Sequence, residues 1–599
     1  MRELSVPAVV SIGPDASLTD PVWENARVAP QAPAFARPGA GGWTTVTCAQ
    51  FKDEVVAMAR GLIAAGITPG DRVALMSRTR YEWTLMDYAL WACGAVTVPI
   101  YETSSPAQVA WILSDSEAVA CVVETPAHAD IVAGVRDQAP RLRDVWVIDD
   151  GALTTITAQG GTVDADEVER RRAAMSADDT ATIIYTSGTT GQPKGCVLSH
   201  RNMLSDISNA LPLLEGIFDA RSSTLLFLPL AHAFARLIQI GAVQARCQLG
   251  HTADLLTLSD TLKSYRPTFI LSVPRVFEKV YNTARQKAIA DGKGAIFGRA
   301  EQVAVAYSQA AERRGGPGLL LRAEHALFDR LVYGKLRAAL GDRCTAAMSG
   351  GAPLGARLAH FFRGVGITVY EGYGLTETSP AATVNIPEAI RIGTVGRPLP
   401  GVGIRIADDG EILIHGDLVF RGYFNDPEAT DAVKDSDGWL HTGDLGALDD
   451  DGFLTITGRK KEIIVTAGGK NVAPAALEDR LRAHPLVSQC MLVGDARPFI
   501  AALVTIDDQA WPGWLAGAGK PTGSTVADLH DDPDLRTLIQ SAIDSANSAV
   551  SQAEGIRTFR ILPRDFAEST GELTPSLKVK RTTVLEMYAD EVAALYTRS

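Results

Sequence analysis

Apolar residues recur at helical and at strand spacing in alternation along the first third of the chain. Phe51, Val55, Met58 and Leu62 fall three and four apart up to Gly66, which reads as one face of an amphipathic helix. Pro69, Gly70 and Asp71 then turn into an apolar run from Arg72 to Met76, a strand. A helical pattern over 81–93 leads to a run over 95–101, another helix over 106–113 and a run over 118–123. Strand, helix and strand on this rhythm predict an α/β fold with a parallel sheet covered by helices. No internal repeat or low-complexity tract interrupts it.

Composition narrows the class. At 599 residues the chain has room for roughly four domains of about 150 residues each. Hydrophobic content of 46% with 21% charged residues is that of an ordinary globular enzyme. The net charge of -13 argues against a nucleic-acid partner, so an anionic substrate must be met by local positive charge. The N-terminus, Met1 to Pro7, has no basic stretch followed by an apolar core, and no window approaches the roughly 18 apolar residues a membrane span needs. The expected location is the cytoplasm. Seven cysteines with no Cys-x-x-Cys suit free buried thiols.

One region departs from the acidic average. Between Arg285 and Arg343 eleven Lys/Arg stand against six Asp/Glu, and Leu320, Leu327, Phe328 and Leu331 put an apolar stripe on the same helical stretch. A solvated helix face is the ordinary explanation. The sharper expectation is peripheral contact with anionic membranes, on the inner face of the cell membrane.

The most informative stretch is Thr182 to Leu198. Two β-type runs, Ile183 to Tyr185 and Cys196 to Leu198, flank a loop of Gly188, Gly191 and Gly195 interleaved with hydroxyls and Lys194. Backbone N–H groups and the hydroxyls of Thr186, Ser187, Thr189 and Thr190 can converge on phosphate oxygens there, with the lysine as a mobile positive charge. The competing reading is a polar surface hairpin. It is not a Walker A loop, because Gly-x-x-x-x-Gly-Lys-Ser/Thr is absent and no helix pattern opens behind the lysine.

Tyr-Thr-Ser-Gly-Thr-Thr-Gly-x-Pro-Lys-Gly resembles the motif of the adenylate-forming superfamily of acyl-CoA synthetases, luciferases and adenylation domains. Further stations follow in that family's order. Phe227 to Phe234 is similar to a stretch of long-chain acyl-CoA synthetases, and the resemblance assigns His232 and Phe234 to the acyl-site wall, with His232 among the catalytic groups; read alone, a histidine on such an apolar segment is more often a satisfied core histidine than a working group. Met348 to Leu354 and Tyr370 to Glu377 come next. By resemblance, Gly350, Gly351, Ala352, Pro353 and Gly372 border the adenine, Tyr373 stacks on it, Thr376 touches phosphate and Glu377 holds Mg²⁺. Glycines that admit a flat base, an aromatic face and a hard carboxylate suit those roles. Asp444, expected at the end of a strand turn, matches the ribose-binding aspartate, and Arg459 the arginine that reaches ribose and phosphate. Lys461 aligns with the hinge, Gly468 and Gly469 with the loop that lines the CoA tunnel, and Lys578 with the catalytic lysine; Lys580 lies close enough to leave that choice open.

The resemblance covers roughly residues 45–585 and implies a bacterial long-chain fatty acid:CoA ligase. It further implies a large α/β domain over 1–458, a small mobile α+β domain over 459–599, ATP, Mg²⁺ and CoA as cofactor and co-substrates, and fatty acid as substrate. A fatty acyl-AMP ligase serving a carrier protein is the alternative. Such enzymes carry an insertion near the hinge, and Gly458 to Pro474 has none. A non-catalytic adenylate-binding scaffold is a third reading. Oligomeric state is left open.

Overall fold

The computed structural model describes residues 1–39, 41–186, 192–254, 256–574 and 578–597. The alternation read from the sequence becomes helix Cys48–Ala64, strand Arg72–Met76, helix Tyr81–Ala92, strand Val96–Ile100, helix Pro106–Asp115 and strand Ala120–Val123. Capping starts the first and third of these helices: Thr47 and Ser105 each form a reciprocal box with the glutamine three residues on. The three strands are buried throughout apart from the half-buried Arg72, as expected of a parallel sheet covered on both faces.

Three sheets make up the large domain. A seven-stranded sheet contains these strands and, at one side, the antiparallel hairpin of Thr180–Thr186 with Lys194–Ser199, edged by the short strand Gly422–Tyr423. A nine-stranded sheet has a parallel centre of Ser223–Leu226, Gln248–His251, Phe269–Ser272, Ala346–Ser349 and Thr368–Tyr373. Its outer hairpin, Pro33–Gly39 with Gly42–Thr47, precedes the point at which the sequence pattern becomes regular. A five-stranded antiparallel sheet pairs Leu440–Leu448 with Leu454–Arg459.

The largest apolar core lies between the seven- and nine-stranded sheets, and a second covers the other face of the nine-stranded sheet with helices from 274–365. Through the first runs a fully buried ion pair. Arg236, on helix Ala233–Ala245, bonds Asp87 through Nε at 3.2 Å and Nη2 at 2.7 Å, and donates from Nη1 to Thr182 Oγ1 at 2.5 Å. That pair ties the helix behind His232 to the strand that enters the phosphate hairpin.

Separate cores hold the remainder of the chain. Ile464, Leu477, Cys490, Val504, Ile539 and Phe559 belong to one, and Met491, Leu503, Leu573 and Val584 to another, on the two faces of the three-stranded sheet Val487–Val493, Ile500–Ile506 and Ile556–Ile561. All seven cysteines are buried and free. Among the described residues no helix is long and apolar enough to cross a membrane.

Candidate active site

The root of the glycine-rich loop is a hairpin in which Thr186 faces Lys194 and Tyr185 faces Gly195. A side chain at Gly195 would meet Ile183 at 2.7 Å, so close strand pairing requires glycine there. Ser187, Gly188, Thr189 and Thr190 lie outside the described residues. The root is anchored by Tyr185, whose hydroxyl donates to Asp115 at 2.6 Å, and by Trp111, whose indole N–H donates to the Pro193 carbonyl at 2.8 Å. Lys194 Nζ stands 5.2 Å above the ring of Tyr423.

Tyr423 also meets Glu377, donating its hydroxyl to Oε1 at 2.8 Å. Glu377 lies in the short turn Thr376–Thr378 just beyond the nine-stranded sheet, whereas Tyr423 belongs to the edge of the seven-stranded one. Glu377, Thr376, Lys194 and Thr186 are all half-buried. No group of three or more His, Cys, Asp or Glu able to hold a metal ion occurs among the described residues. A single carboxylate beside a phosphate loop fits magnesium that arrives on a nucleotide and takes most of its ligands from phosphate and water.

Asp444 joins the other two sheets. Its Oδ2 accepts from the Tyr373 hydroxyl at 2.7 Å and its Oδ1 from Arg459 Nε at 2.8 Å, while its backbone N–H donates to Thr442 Oγ1 at 3.0 Å. It stands within strand Leu440–Leu448, not at the end of a turn as expected, and directly opposite Arg459 on the neighbouring strand. That cross-strand register brings the two side chains together. Asp444 is 3% exposed, and its charge holds the Tyr373 hydroxyl well above the ordinary phenol range, an effect second to burial.

Gly350 is buried, while Gly351, Ala352 and Pro353 are exposed along the turn after strand Ala346–Ser349. The Leu354 N–H after this turn donates to Glu371 Oε1 at 2.8 Å, fixing it to the strand that carries Gly372 and Tyr373. A Cβ on Gly350 would lie 3.1 Å from the Phe234 ring, so the turn after strand Ala346–Ser349 and the start of helix Ala233–Ala245 are packed together. His232 caps helix Ala233–Ala245 through Nδ1, which accepts from Phe234 N–H at 3.2 Å. Burial, and secondarily Lys578, pushes its imidazole down to about 4, so the ring is neutral near pH 7.

Lys578 reaches this cleft from the small core. Burial, with Arg459 next, holds its ammonium below the usual lysine range, while Asp444, Glu462 and Glu377 act in the opposite sense. Lys578 is exposed to water. Its loop is closed by Lys578 N–H to Thr574 Oγ1 at 3.0 Å and Thr574 N–H to the Lys578 carbonyl at 2.8 Å. Lys580 caps helix Arg581–Met587 and donates its N–H to the Glu572 carbonyl at 2.8 Å.

Gly468 and Gly469 are not brought to the site. Both are exposed on the hairpin between Ile464–Val465 and Asn471–Val472; a Cβ on Gly469 would meet nothing within 4 Å and one on Gly468 only Thr466 at 3.9 Å. Lys461 is exposed, directly after Lys460, which is held by Asp409 at 2.5 Å and Glu411 at 3.1 Å. Tyr423, Thr442 and Glu462 were not anticipated. Tyr423 carries no motif of its own, and only sheet pairing reveals its reach to Glu377.

Tyr373, Glu377, Tyr423, Asp444 and Arg459 meet at the junction of three sheets, with Lys578 of the C-terminal part of the chain close by, in an arrangement of the adenylate-forming class. The chain belongs to the AMP-binding enzymes: that family matches residues 22–424, and the AMP-binding enzyme C-terminal domain matches residues 461–599. It is 54% identical over 601 residues to the long-chain-fatty-acid–CoA ligase FadD15 of Mycobacterium tuberculosis, with 100% of each chain covered. It is 30% identical to the long-chain-fatty-acid–CoA ligase heimdall of Drosophila melanogaster, covering 93% of this chain and 91% of the relative. Among solved structures, the A domain of carboxylic acid reductase from Segniliparus rugosus, in complex with AMP and a co-purified carboxylic acid, superposes with TM-score 0.75 at 21% identity, covering 97% of this chain and 94% of that one. A Mycobacterium tuberculosis fatty acyl CoA synthetase superposes with TM-score 0.62 at 23% identity over 96% and 99% of the two chains.

Proposed function

We propose that the protein is a long-chain fatty acid–CoA ligase that works through an acyl-adenylate. The observation that carries this reading is the position of Lys578, on the small domain yet beside His232, Asp444 and Glu377 of the large one and Arg459 at the boundary between them. In the first half-reaction a carboxylate oxygen of the fatty acid bonds to the α-phosphorus of ATP as the bond to the bridging oxygen of pyrophosphate breaks. Both reactants are anions, so the cleft must offset their repulsion; Lys578 and Arg459 supply fixed positive charge. Mg²⁺ bound with the nucleotide would be held by Glu377 and would neutralise phosphate charge. Thr186, Lys194 and Thr376, with Ser187, Gly188, Thr189 and Thr190, would hold the phosphates. Tyr373 and the Gly350 to Pro353 turn, with Gly372, would hold adenine, and Asp444 the ribose. His232 and Phe234 would flank the acyl carboxylate, the neutral imidazole adding no charge that would pair with it.

In the second half-reaction the CoA sulfur attacks the acyl carbonyl carbon, the bond to AMP breaks, and the thiol proton passes to solvent. For this the small domain, taken as 459–599, would turn about Lys461, withdraw Lys578 and bring the loop of Gly468 and Gly469 to the large domain over 1–458. The arrangement described above, with Lys578 in and Gly468 out, is that of the first half-reaction. Contact with anionic membranes belongs to this reading too, since the acid is an amphiphile that partitions into bilayers. The deciding measurement is CoA-dependent AMP formation from ATP with acids from acetate to long-chain fatty acids. A maximum at long chains that vanishes without CoA is expected. Pyrophosphate exchange without thioester would give the acyl-AMP ligase instead, and no turnover would overturn both.

A further inference from the structure

The helices between strands Phe269–Ser272 and Ala346–Ser349 include a hairpin of Gly294–Ala311 and Leu319–Phe328. One side of the second helix is well fastened. His325 stacks on Tyr307 with centroids 3.9 Å apart and its Nε2 meets the Gly364 carbonyl at 2.6 Å, while Phe328 is 8% exposed. Phe328, expected in the outward stripe, therefore faces inward, because the hairpin needs an anchor against its first helix. The outward side is nevertheless apolar: Leu319 and Leu320 are 84% and 83% exposed, and Leu327 and Leu331 are 55% and 50%. A helix apolar on both sides is ordinarily buried on both.

Charge around these leucines is one-sided, more so than the count suggests. Glu301, Glu312, Glu324 and Asp329 are each taken by an arginine: Arg357, Arg363, Arg299 and Arg337. Arg313, Arg314, Arg322 and Arg330 are exposed and form no ion pair among the described residues. At the hairpin tip every residue from 311 to 320 except Pro317 is exposed. The leucines thus sit on a protruding tip with unpaired guanidinium groups on either side, not in a groove. Leucines in the acyl boundary with arginines at phosphate level is the chemistry a lipid surface accepts.

We propose that the 311–331 hairpin tip is a shallow anchor for anionic bilayers, inserting Leu319 and Leu320 and seating Arg313, Arg314, Arg322 and Arg330 among lipid phosphates. The proposal rests on the ligase reading in one respect: a fatty acid dissolved in the bilayer gives the anchor its purpose. The hairpin springs from strand Phe269–Ser272 and returns to strand Ala346–Ser349, which runs into Gly350 beside Phe234. Docking there holds the acyl-site wall close in the chain to the membrane source of its substrate.

The test is co-sedimentation of the full chain with phosphatidylcholine vesicles, with and without phosphatidylglycerol, at low and high salt. The wild type should bind only the anionic vesicles and less at high salt. Leu319→Glu/Leu320→Glu should lower partitioning on the order of ten-fold. Arg313→Gln/Arg314→Gln should lower it about five-fold per charge. Both variants should turn over water-soluble octanoate at the wild-type rate, which shows that they fold. The anchor is overturned if the wild type ignores anionic vesicles or the variants bind as it does. It is equally overturned if sedimentation velocity finds a wild-type dimer that the leucine variant breaks, since a second copy would then cover the leucines. Absence of turnover with any acid would remove the ligase reading, while vesicle binding would still decide the anchor.

Discussion

The groups proposed to hold the nucleotide and those proposed to be delivered by the small domain are built in opposite ways. On the nucleotide side, Asp444 is fixed by Tyr373 and Arg459, and Glu377 by Tyr423. The Tyr373–Asp444 bond joins the nine-stranded sheet to the five-stranded one, and the Glu377–Tyr423 bond joins it to the seven-stranded one. Geometry there is over-determined, as preorganised electrostatic stabilisation requires. Lys578 and the Gly468 loop instead ride on separate cores, one with Asp444 and Glu377 among its charged neighbours and the other exposed, with no group of the large domain within 4 Å of where a Cβ on either glycine would stand. Fixed groups can serve both half-reactions, whereas delivered groups can serve only one at a time.

Removing the delivered lysine should divide the halves most sharply. Lys578→Ala should slow adenylation, read as acid-dependent pyrophosphate exchange, about 10²- to 10³-fold, by analogy with the loss of one preplaced oxyanion donor. Thioester formation from supplied acyl-AMP should be nearly unchanged; equal loss in both would mean that Lys578 is not delivered for one step. The charged lysine is the active form and its ammonium is held below the ordinary range, so adenylation should fall on the alkaline side at a lower pH than an ordinary lysine would give. Lys578→Arg, which stays protonated, should move that limb out of the measured range.

A fixed group should behave differently. Asp444→Ala leaves the Tyr373 hydroxyl and the Arg459 guanidinium without their shared acceptor and removes the proposed ribose contact. Hydrogen bonds to a charged group contribute about 1.5–3 kcal/mol. Affinity for ATP and for acyl-AMP should therefore both fall, by about 10- to 100-fold, in equilibrium binding of each. Loss confined to ATP would place Asp444 with the delivered groups.

This division also explains what the sequence reveals. Strands Arg72–Met76 and Val96–Ile100 are legible because a buried parallel strand is a short apolar run, and the helices between them because their cores recur at three and four. The motif residues are legible because each needs a chemically rare type: Gly195 and Gly350 for close approach, Glu377 and Asp444 for charge. Tyr423 is not, since nothing local distinguishes it from a surface tyrosine and its partner is 46 positions away. Asp444 was expected at a turn because its partner Arg459 lies on another strand, and cross-strand register is not written in either segment. Phe328 looks like part of an exposed stripe until Tyr307 and Gly364 show which side of the helix is fastened. The position of the small domain is the least legible feature, because it depends on few contacts between surfaces that must also separate.

Those contacts give the smallest and most discriminating test. Arg275, at the start of helix Pro274–Ala290 on the large domain, donates from Nη1 to the Ser488 carbonyl at 3.0 Å and from Nη2 to Ser488 Oγ at 2.8 Å, with Asp565 at 3.9 Å. Thr103 and Glu568 make a further bond across the same gap. Arg275 is partly exposed, so its hydrogen bonds are worth about 1 kcal/mol to this arrangement. Arg275→Ala should shift the equilibrium constant away from it about five-fold, which sets the upper limit of the loss in the half-reaction needing it. Adenylation should slow by up to that factor at unchanged melting temperature, while thioester formation from supplied acyl-AMP stays constant or rises. If both fall together, or the melting temperature drops, Arg275 only supports the large domain, and the small domain is held in the adenylation arrangement by the cleft itself.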